Sequence, residues 1–283
     1  MKLPISVIVL TYNEENNIEA CLKSVYDSVE EIFIVDSFSN DKTLEIAKKY
    51  TNNIIQHKFE NYGKQRNWAF DNLPIKTKWI LNLDADHQIT DELKNELREI
   101  FKNSNELTYN GFLISRKTVF MNKWIKHGGH YPVYHAVLFK HGSGRCEETV
   151  YDQHFIINGS VKNLKSNILD FFTESLSEFT IKHNRWSSFE ALQHSSSIDL
   201  ENNTVASTIL GNVIERRRFF KTNIYLKLPL FCRAFFYFIY RYFFMLGFLD
   251  GKEGLIFHFL QGFWFRFLID AKIYETNKTK VVT

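Results

Sequence analysis

The chain has 283 residues, of which 45% are hydrophobic and 24% charged, and its formal net charge is +3. This size and apolar content allow a full buried core, which excludes intrinsic disorder, and the mild charge predicts no nucleic-acid partner. Cys21, Cys146 and Cys232 are far apart and lack Cys-x-x-Cys spacing. They therefore indicate neither a disulfide framework nor a zinc knuckle, and they fit a reducing cytoplasm.

The first hundred residues alternate β-branched apolar runs with helical patterns. The pattern predicts strands over 5–10, 32–35, 53–57 and 79–83, and helices over about 16–28, 41–50, 65–72 and 90–102. This alternation is typical of an α/β fold with a mostly parallel sheet and helices on both faces. In such sheets, ligands bind beyond the carboxyl ends of the strands.

Polar side chains follow three of these predicted strands. They are Thr11, Tyr12 and Glu14 after the first strand, Asp36 after the second, and Asp84 and Asp86 after the fourth. Side chains alternate along an extended chain, so Asp84 and Asp86 point to the same side and can share a divalent cation, or a cation and a ribose. Carboxylates that hold Mg²⁺ or Mn²⁺ commonly handle nucleotide diphosphates. A solvated turn is the alternative for such a pair of acids.

The middle of the chain has shorter extended segments, over 111–120 and 136–140, separated by glycine-rich turns. We expect antiparallel strands and the loops of the acceptor side here. A helix is predicted over 170–193.

The last quarter combines aromatic runs with arginine. Residues 228–249 could cross a bilayer of about 30 Å, but Arg233 and Arg241 would each cost about 2.5–3.5 kcal/mol near its centre. A second aromatic stretch covers 255–269, around Arg266. Basic residues beside aromatic helices are typical of helices that lie on a membrane surface. The alternative is packing on the catalytic domain or on a second subunit, in a homo-oligomer.

Four motifs in order, over 5–18, 35–43, 63–67 and 84–86, resemble those of the family 2 glycosyltransferases, which have the GT-A fold. Three further segments, 124–132, 184–187 and 247–254, are similar to the bacterial subgroup that includes lipopolysaccharide core glucosyltransferases. The resemblance implies a nucleotide-sugar donor, usually a UDP-sugar, and inversion at the anomeric carbon.

The resemblance also assigns roles to the polar residues at the strand ends. It implies that Thr11, Tyr12 and Glu14 line the uridine pocket. Asp36 would accept a hydrogen bond from the uracil ring, and Arg66 would help to hold the nucleotide.

By the same resemblance, Asp84 would lie near the ribose and Asp86 would ligate the metal, Mn²⁺ or Mg²⁺. A histidine, His135 or His154, is a less favoured further metal ligand. A turn role for Asp36 and a surface position for Arg66 are the alternatives.

Inversion by direct displacement needs a general base that takes the proton of the acceptor hydroxyl. Relatives often carry Val-His-Glu where this chain has Val-Tyr-Asp at 150–152, so Asp152 is the first candidate and Glu148 the second. The chain departs from the family at Val133 and Val137, where relatives commonly have Asp and Arg. This departure leaves the base and the recognition of the acceptor open.

We therefore predict a GT-A domain over 1–200, with a nucleotide-binding half at 1–105 and an acceptor half at 106–200. An aromatic and basic helical region at 201–283 would serve membrane association or oligomerisation. The predicted protein is cytoplasmic and peripheral on the inner face of the cell membrane. Its acceptor would be a lipid-linked glycan such as lipopolysaccharide core or a capsule or O-antigen intermediate. The alternatives are transfer to a protein side chain or to polyprenyl phosphate, and a non-catalytic scaffold that binds sugar nucleotides.

Overall fold

A computed structural model describes residues 2–102, 106–149, 152–172, 175–195 and 204–280. The chain forms two compact units that are interleaved along the sequence. Unit 1 comprises Met1–Arg116, Tyr134–Glu148 and Gln153–Asp170, and unit 2 comprises Lys117–Val133, Thr149–Asp152 and Phe171–Thr283. The domain boundary predicted near residue 200 lies outside the described residues.

The described strands form one large sheet and one small hairpin. The large sheet contains β1 (Leu3–Thr11), β2 (Val29–Asp36), β3 (Ile54–Gln56), β4 (Trp79–Asp84), β5 (His87–Ile89), β6 (Gly111–Phe120), β7 (Lys123–Trp124), β8 (Val133–Lys140) and β11 (Val161–Phe171). Its strand order is β3-β2-β1-β4-β8-β6-β11-β5, and β7 pairs with β6. The hairpin consists of β9 (Gly144–Cys146) and β10 (Phe155–Ile157).

Strand β1 lies at the centre of the parallel part of the sheet. It pairs in parallel with β2 and with β4, so that Val7 is opposite both Ile32 and Leu81. Its apolar side chains are buried along almost its whole length, as expected for a strand with both faces covered. Antiparallel strands continue the sheet, since β8 runs antiparallel to β4 and β5 antiparallel to β11. The predicted combination of parallel and antiparallel strands is confirmed.

Four helices of unit 1 connect the parallel strands or follow them: α1 (Ile18–Val25), α2 (Thr43–Ala47), α3 (Tyr62–Asn72) and α4 (Asp91–Lys102). The chain steps outward from β1 to β2 to β3 through α1 and α2, which contact each other. It then returns through α3 to β4 on the other side of β1. Crossover connections between parallel strands are right-handed. The reversal therefore puts α3 on the face of the sheet opposite to α1 and α2. The predicted α/β class is confirmed, and the strand order reverses between β1 and β4.

The predicted helix over 170–193 is wrong at its start. Asp170 belongs to β11, where it pairs with His87 of β5, and the helix α5 (Leu176–Ser195) begins five residues after Phe171. The strand was missed because polar residues interrupt its apolar ones. The strand forms by pairing with distant parts of the chain, and its sequence has no regular alternation of apolar and polar residues that would have indicated it.

Unit 2 is mainly helical and confirms the predicted C-terminal helical extension. Besides α5 it contains α6 (Val213–Asn223), α7 (Cys232–Ile239), α8 (Gly251–Phe257) and α9 (Phe265–Lys280). Asn212 and Glu215 form a capping box at the start of α6. Helix α5 packs on α9, where Phe265, Ile269 and Ile273 form an apolar cluster.

Two irregular turns interrupt the aromatic helices of unit 2. A π-helical turn over Tyr240–Phe244 follows α7, and another over His258–Trp264 joins α8 to α9. Arg233 of α7 is buried and binds the carboxylate of Asp270, with 2.7 Å between Nε and Oδ1. The aromatic segment therefore buries one of its charges within the protein.

Among the described helices, none alone has the length and apolar character to span a membrane. Segments Cys232–Phe244 and Gly247–Lys278 meet these criteria only when taken together, and they are bent by 70° relative to each other.

Candidate active site

The register of β1, β2 and β4 brings the predicted strand-end residues of unit 1 to one edge of the sheet. Thr11 is paired with Asp36, and Leu10 with Asp84. This edge lies where the strand order reverses, the position at which α/β sheets bind ligands.

The residues after β1 differ in their exposure. The Thr11 side chain is buried, and its hydroxyl has no hydrogen-bond partner among the described residues. Tyr12 is 57% exposed. Glu14 accepts a hydrogen bond from the side-chain amide of Asn17 at 2.8 Å, and its backbone N–H donates to Thr43 Oγ1. Tyr12 therefore has an open ring and Glu14 orders the start of α1, and the contacts of Thr11, Tyr12 and Glu14 with uridine stay a prediction.

Asp36 is fully buried and organises the turn that follows β2. Its carboxylate accepts hydrogen bonds from the Ser39 backbone N–H at 3.0 Å, from the Ser39 hydroxyl at 2.5 Å and from the Gln56 amide at 3.1 Å. A carboxylate has about four acceptor positions, so at most one more donor fits. The turn role of Asp36 is thus observed, and its contact with uracil stays a prediction.

Arg66 of α3 is fully buried and joins β1 to β4. Its guanidinium donates to the carbonyl oxygens of Ile8 and Leu83, at 3.0 and 2.7 Å, and to Asp84 Oδ1 at 2.7 Å. The hydroxyl of Tyr62 donates to the same carboxylate oxygen at 3.1 Å. Arg66 therefore fixes the orientation of Asp84, and its contact with a nucleotide stays a prediction.

An excess of carboxylates surrounds Asp86. Partial burial raises the pKa of Asp86 well above its usual value, and the negative charges of Asp170, Asp84 and Glu14 raise it further. Burial likewise raises the pKa of Asp170 to about 6. For Asp84, burial is outweighed by nearby positive charge, including Arg66 and Arg116, which holds its pKa below the usual range. A bound cation would stabilise the ionised form of Asp86.

These residues also fit a divalent metal. Ligand atoms of Asp84, Asp86 and His87 lie within 4.8 Å of one another, and carboxylate oxygens are the ligands that Mg²⁺ and Mn²⁺ prefer. No other group of three or more such side chains in the described part of the chain has this spacing. The histidines considered as further ligands, His135 and His154, are not in the group.

His87 lies beside the two carboxylates. Its Nδ1 accepts the Asp84 backbone N–H at 3.1 Å, so the ring hydrogen of the neutral form is on Nε2. Burial and Arg116 lower the pKa of His87 to about 3, so the ring is neutral. The Nε2 atom lies 3.6 Å from Asp84 Oδ2 and 3.8 Å from Asp86 Oδ1. This tautomer places a donor beside the carboxylates, so a metal here would be held by carboxylate oxygen rather than by His87, and the metal role of Asp86 stays a prediction.

The two candidate bases fall in different units. Glu148 of unit 1 is exposed and accepts a hydrogen bond from the Asn67 amide at 3.0 Å. Asp152 of unit 2 accepts one from Lys221 Nζ at 2.7 Å. The neighbouring positions 150 and 151, used to align Asp152, lie outside the described residues. A bound ammonium group lowers the basicity of a carboxylate, and the assignment of the base stays a prediction.

Sequence reasoning missed four residues of the carboxylate site: Tyr62, His87, Arg116 and Asp170. His87 directly follows Asp86, so its position was a usable signal. The position of Asp170 could not be inferred locally, because antiparallel pairing of β11 with β5 brings it beside His87 from a distant part of the chain.

Several known glycosyltransferases are similar to this chain in sequence. Residues 6–141 match the model of the family described as Glycosyl transferase family 2. An uncharacterized glycosyltransferase of Rickettsia bellii is 34% identical over 110 residues, which are 39% of this chain and 37% of the relative. This chain therefore matches little more than a third of that relative's length. The lipopolysaccharide core biosynthesis glycosyltransferase LpsC of Rhizobium meliloti is 25% identical over 68% of this chain and 72% of its own length. A crystal structure of S. aureus TarS residues 1–349 with UDP-GlcNAc has a TM-score of 0.47 and 15% identity, and the match covers 99% of this chain and 92% of that TarS fragment.

Proposed function

We propose that this chain, whose residues 6–141 match the model of Glycosyl transferase family 2, is a metal-dependent, inverting glycosyltransferase that uses a UDP-sugar donor. The observation that carries this proposal is the Asp84 and Asp86 pair at the reversal of strand order. Burial, followed by the charges of the neighbouring carboxylates, raises the pKa of Asp86, and a bound cation would stabilise its ionised form.

In the proposed reaction, Mg²⁺ or Mn²⁺ would supply positive charge to the departing diphosphate. Asp86 would hold the metal, and Asp84 would lie near the ribose with its carboxylate fixed by Arg66. Thr11, Tyr12, Glu14 and Asp36 would bind the uridine. Asp152, or alternatively Glu148, would take the proton of the acceptor hydroxyl as it attacks the anomeric carbon.

For the acceptor we propose a lipid-linked saccharide such as lipopolysaccharide core. This rests on the likeness to LpsC, whose name assigns it to lipopolysaccharide core biosynthesis. Transfer to a protein side chain or to polyprenyl phosphate is the second candidate, and the basic residues Arg116, Lys117, Lys123 and Lys126 favour it.

We also propose that unit 2 lies on the inner face of the cell membrane. Large apolar side chains are exposed at the end of the π-helical turn that follows α7 and directly after it, by 38 to 74% of their surface: Phe243, Phe244, Met245, Leu246, Phe248 and Leu249. Such a run would gain free energy by entering the interface of a bilayer. Alternatively, a second copy of the chain covers these apolar side chains.

The activity is tested by incubating the purified protein with UDP-glucose, UDP-galactose or UDP-GlcNAc, Mn²⁺ and lipopolysaccharide with a truncated core. We expect UDP release that depends on the acceptor, with a β-linked product from an α-linked donor. The variant Asp86→Asn removes the proposed metal ligand in the same assay. Its matched control is Asp91→Asn, at the exposed start of α4. Nucleotide binding without turnover on lipopolysaccharide, protein or polyprenyl phosphate acceptors would instead favour a non-catalytic scaffold.

A further inference from the structure

Unit 2 contains a charged cluster of its own, built on α5, α6 and α9. Lys221 donates to Asp152 at 2.7 Å and lies 3.4 Å from Glu190. Arg266 pairs with the same Glu190 at 3.2 Å. Two carboxylates therefore already neutralise two cations.

Arg241 adds a buried positive charge to this cluster. Arg241 is only 7% exposed, and its Nε donates to the carbonyl oxygen of Gly128 at 2.5 Å. Its Nη1 donates to the Tyr237 hydroxyl at 3.2 Å, whereas its buried Nη2 has no hydrogen-bond partner among the described residues. These partners are neutral, so none of them offsets the charge of the guanidinium group. A buried charge without a counter-ion is costly.

Arg217 of α6 supplies a second positive charge beside Arg241. Although Arg217 reaches solvent, partial desolvation and the charge of Arg241 lower its pKa and outweigh the opposing effects of Tyr237 and Asp152. Burial alone would raise the pKa of Tyr237, but Arg241, Arg266 and Arg217 outweigh it and lower that pKa. The region therefore has a positive potential that the described carboxylates do not cancel.

His130 completes the cluster. Its buried Nε2 has no hydrogen-bond partner among the described residues. Burial, followed by Arg241, His258 and Arg217, lowers the pKa of His130 well below its usual value. The neutral ring can still form a hydrogen bond with a ligand through Nε2, as donor or as acceptor, without becoming charged.

We propose that Arg217, Arg241 and His130 bind a phosphoryl group carried by the acceptor. A phosphate monoester has close to two negative charges at neutral pH, which suits the two guanidinium groups of Arg217 and Arg241. Arginine forks bind phosphate oxygens in pairs, and the site is open to solvent at Arg217. The inference rests on the proposed function, because Asp152, the first candidate base, belongs to this cluster through Lys221. The acceptor hydroxyl and its phosphoryl group would then be held by one set of side chains.

The first test is calorimetric titration of the full chain with methyl phosphate in the presence of EDTA and without nucleotide. EDTA removes divalent metal from the donor site, so binding in this experiment does not depend on that site. We expect saturable binding that Arg217→Gln weakens by about tenfold or more, the loss typical of a hydrogen bond between charged groups. Lys182→Gln on exposed α5, which removes the same charge elsewhere in unit 2, should leave the affinity unchanged.

Arg217 is chosen because its exposed position allows the variant to fold, which thermal unfolding would check. Absence of saturable binding to the wild type, or equal weakening by Arg217→Gln and Lys182→Gln, would overturn the proposal. If the protein binds phosphate but shows no glycosyltransferase activity, the phosphate site is supported and only the proposed function is rejected.

A second titration separates two sources of the phosphoryl group, a glycan and a lipid headgroup. The probes are methyl phosphate and phosphatidylcholine vesicles with and without phosphatidic acid. Binding of methyl phosphate alone supports a glycan phosphate. Binding to phosphatidic acid vesicles that methyl phosphate reverses supports a lipid headgroup. In either case the interaction must weaken in Arg217→Gln, and an unchanged affinity in that variant contradicts the site.

Discussion

Arg66 and Asp84 form an ion pair of 2.7 Å between Nη2 and Oδ1, at the place where the strand order of the sheet reverses. The arginine is fully buried and also binds backbone carbonyl groups of β1 and β4. The same contact thus joins two central strands and orients a carboxylate of the candidate active site.

Replacement of Arg66 by methionine should destabilise the protein. Loss of one partner leaves Asp84 partly buried without its closest counter-ion, and breaking such pairs typically costs about 3–5 kcal/mol. The free energy of unfolding in urea measures this change. Lys64→Gln on the same helix, which breaks an exposed pair with Glu60, is the control and should change the midpoint little. Equal midpoints for the two variants would contradict the structural role of Arg66.

The strand-end residues were predictable because apolar runs mark the buried parallel strands and polar residues directly follow them. Thr11, Asp36 and Asp84 could therefore be placed at one edge before their contacts were known. Arg66 was expected near the nucleotide, which stays a prediction, and its partners within the protein include two backbone carbonyl groups and one carboxylate. Backbone carbonyls have no sequence signature, so that environment could not be predicted.

Asp170 illustrates the opposite case. Asp170 and the two phenylalanines after it precede a helical pattern, which favoured a helix start. Its place on β11 depends on pairing with β5, a strand of three residues. So short a strand has too few positions for a recognisable alternation.

Replacement of Asp86 by asparagine should have opposite effects with and without metal. Without metal, the thermal midpoint should rise, because the variant removes repulsion among Asp86, Asp84 and Asp170. With Mn²⁺, the wild type should be stabilised by about 2.7 kcal/mol at one hundred times its dissociation constant, whereas Asp86→Asn should respond little. Asp91→Asn, at an exposed position of α4, should respond as the wild type does. An equal response to Mn²⁺ in Asp86→Asn would contradict the metal role.

Unit 2 should lose stability as the pH falls below 6.5. Burial lowers the pKa of His183 to about 4, and its Nδ1 donates to the Phe179 carbonyl at 2.7 Å. The unfolded chain then binds a proton more readily than the folded one, so stability is complete above pH 6.5 and is lost progressively between 6.5 and 4. His183 alone should cost about 2 kcal/mol between pH 7.5 and 5.

His183→Phe should reduce this pH dependence while keeping a ring stacked on Phe179, as the histidine ring does at 3.8 Å. Urea unfolding at the two pH values gives the comparison. His258, whose pKa is also lowered to about 4, mainly by burial, should leave a residual dependence. An unchanged difference between the two pH values in His183→Phe would show that His183 does not contribute.

The double replacement of Phe243 and Phe244 by serine should weaken binding to anionic vesicles by at least about tenfold, because less apolar area enters the interface. Both side chains are more than half exposed, so the fold should tolerate the change. Phe59→Ser, at an exposed phenylalanine of unit 1, is the control. Unchanged vesicle binding would count against the membrane proposal, and a dimer that the double variant dissociates would assign the surface to a second copy.

The central claim is a UDP-sugar site that depends on a metal held by Asp86, with Asp84 beside it near the ribose. Its most direct test is thermal unfolding with UDP, ADP, GDP and CDP, each with and without Mn²⁺, on the wild type and on Asp86→Asn. We predict that UDP with Mn²⁺ raises the midpoint of the wild type more than any other combination, and that Asp86→Asn loses most of this rise. Equal stabilisation by UDP without metal, by all four nucleotides, or in Asp86→Asn would contradict the claim.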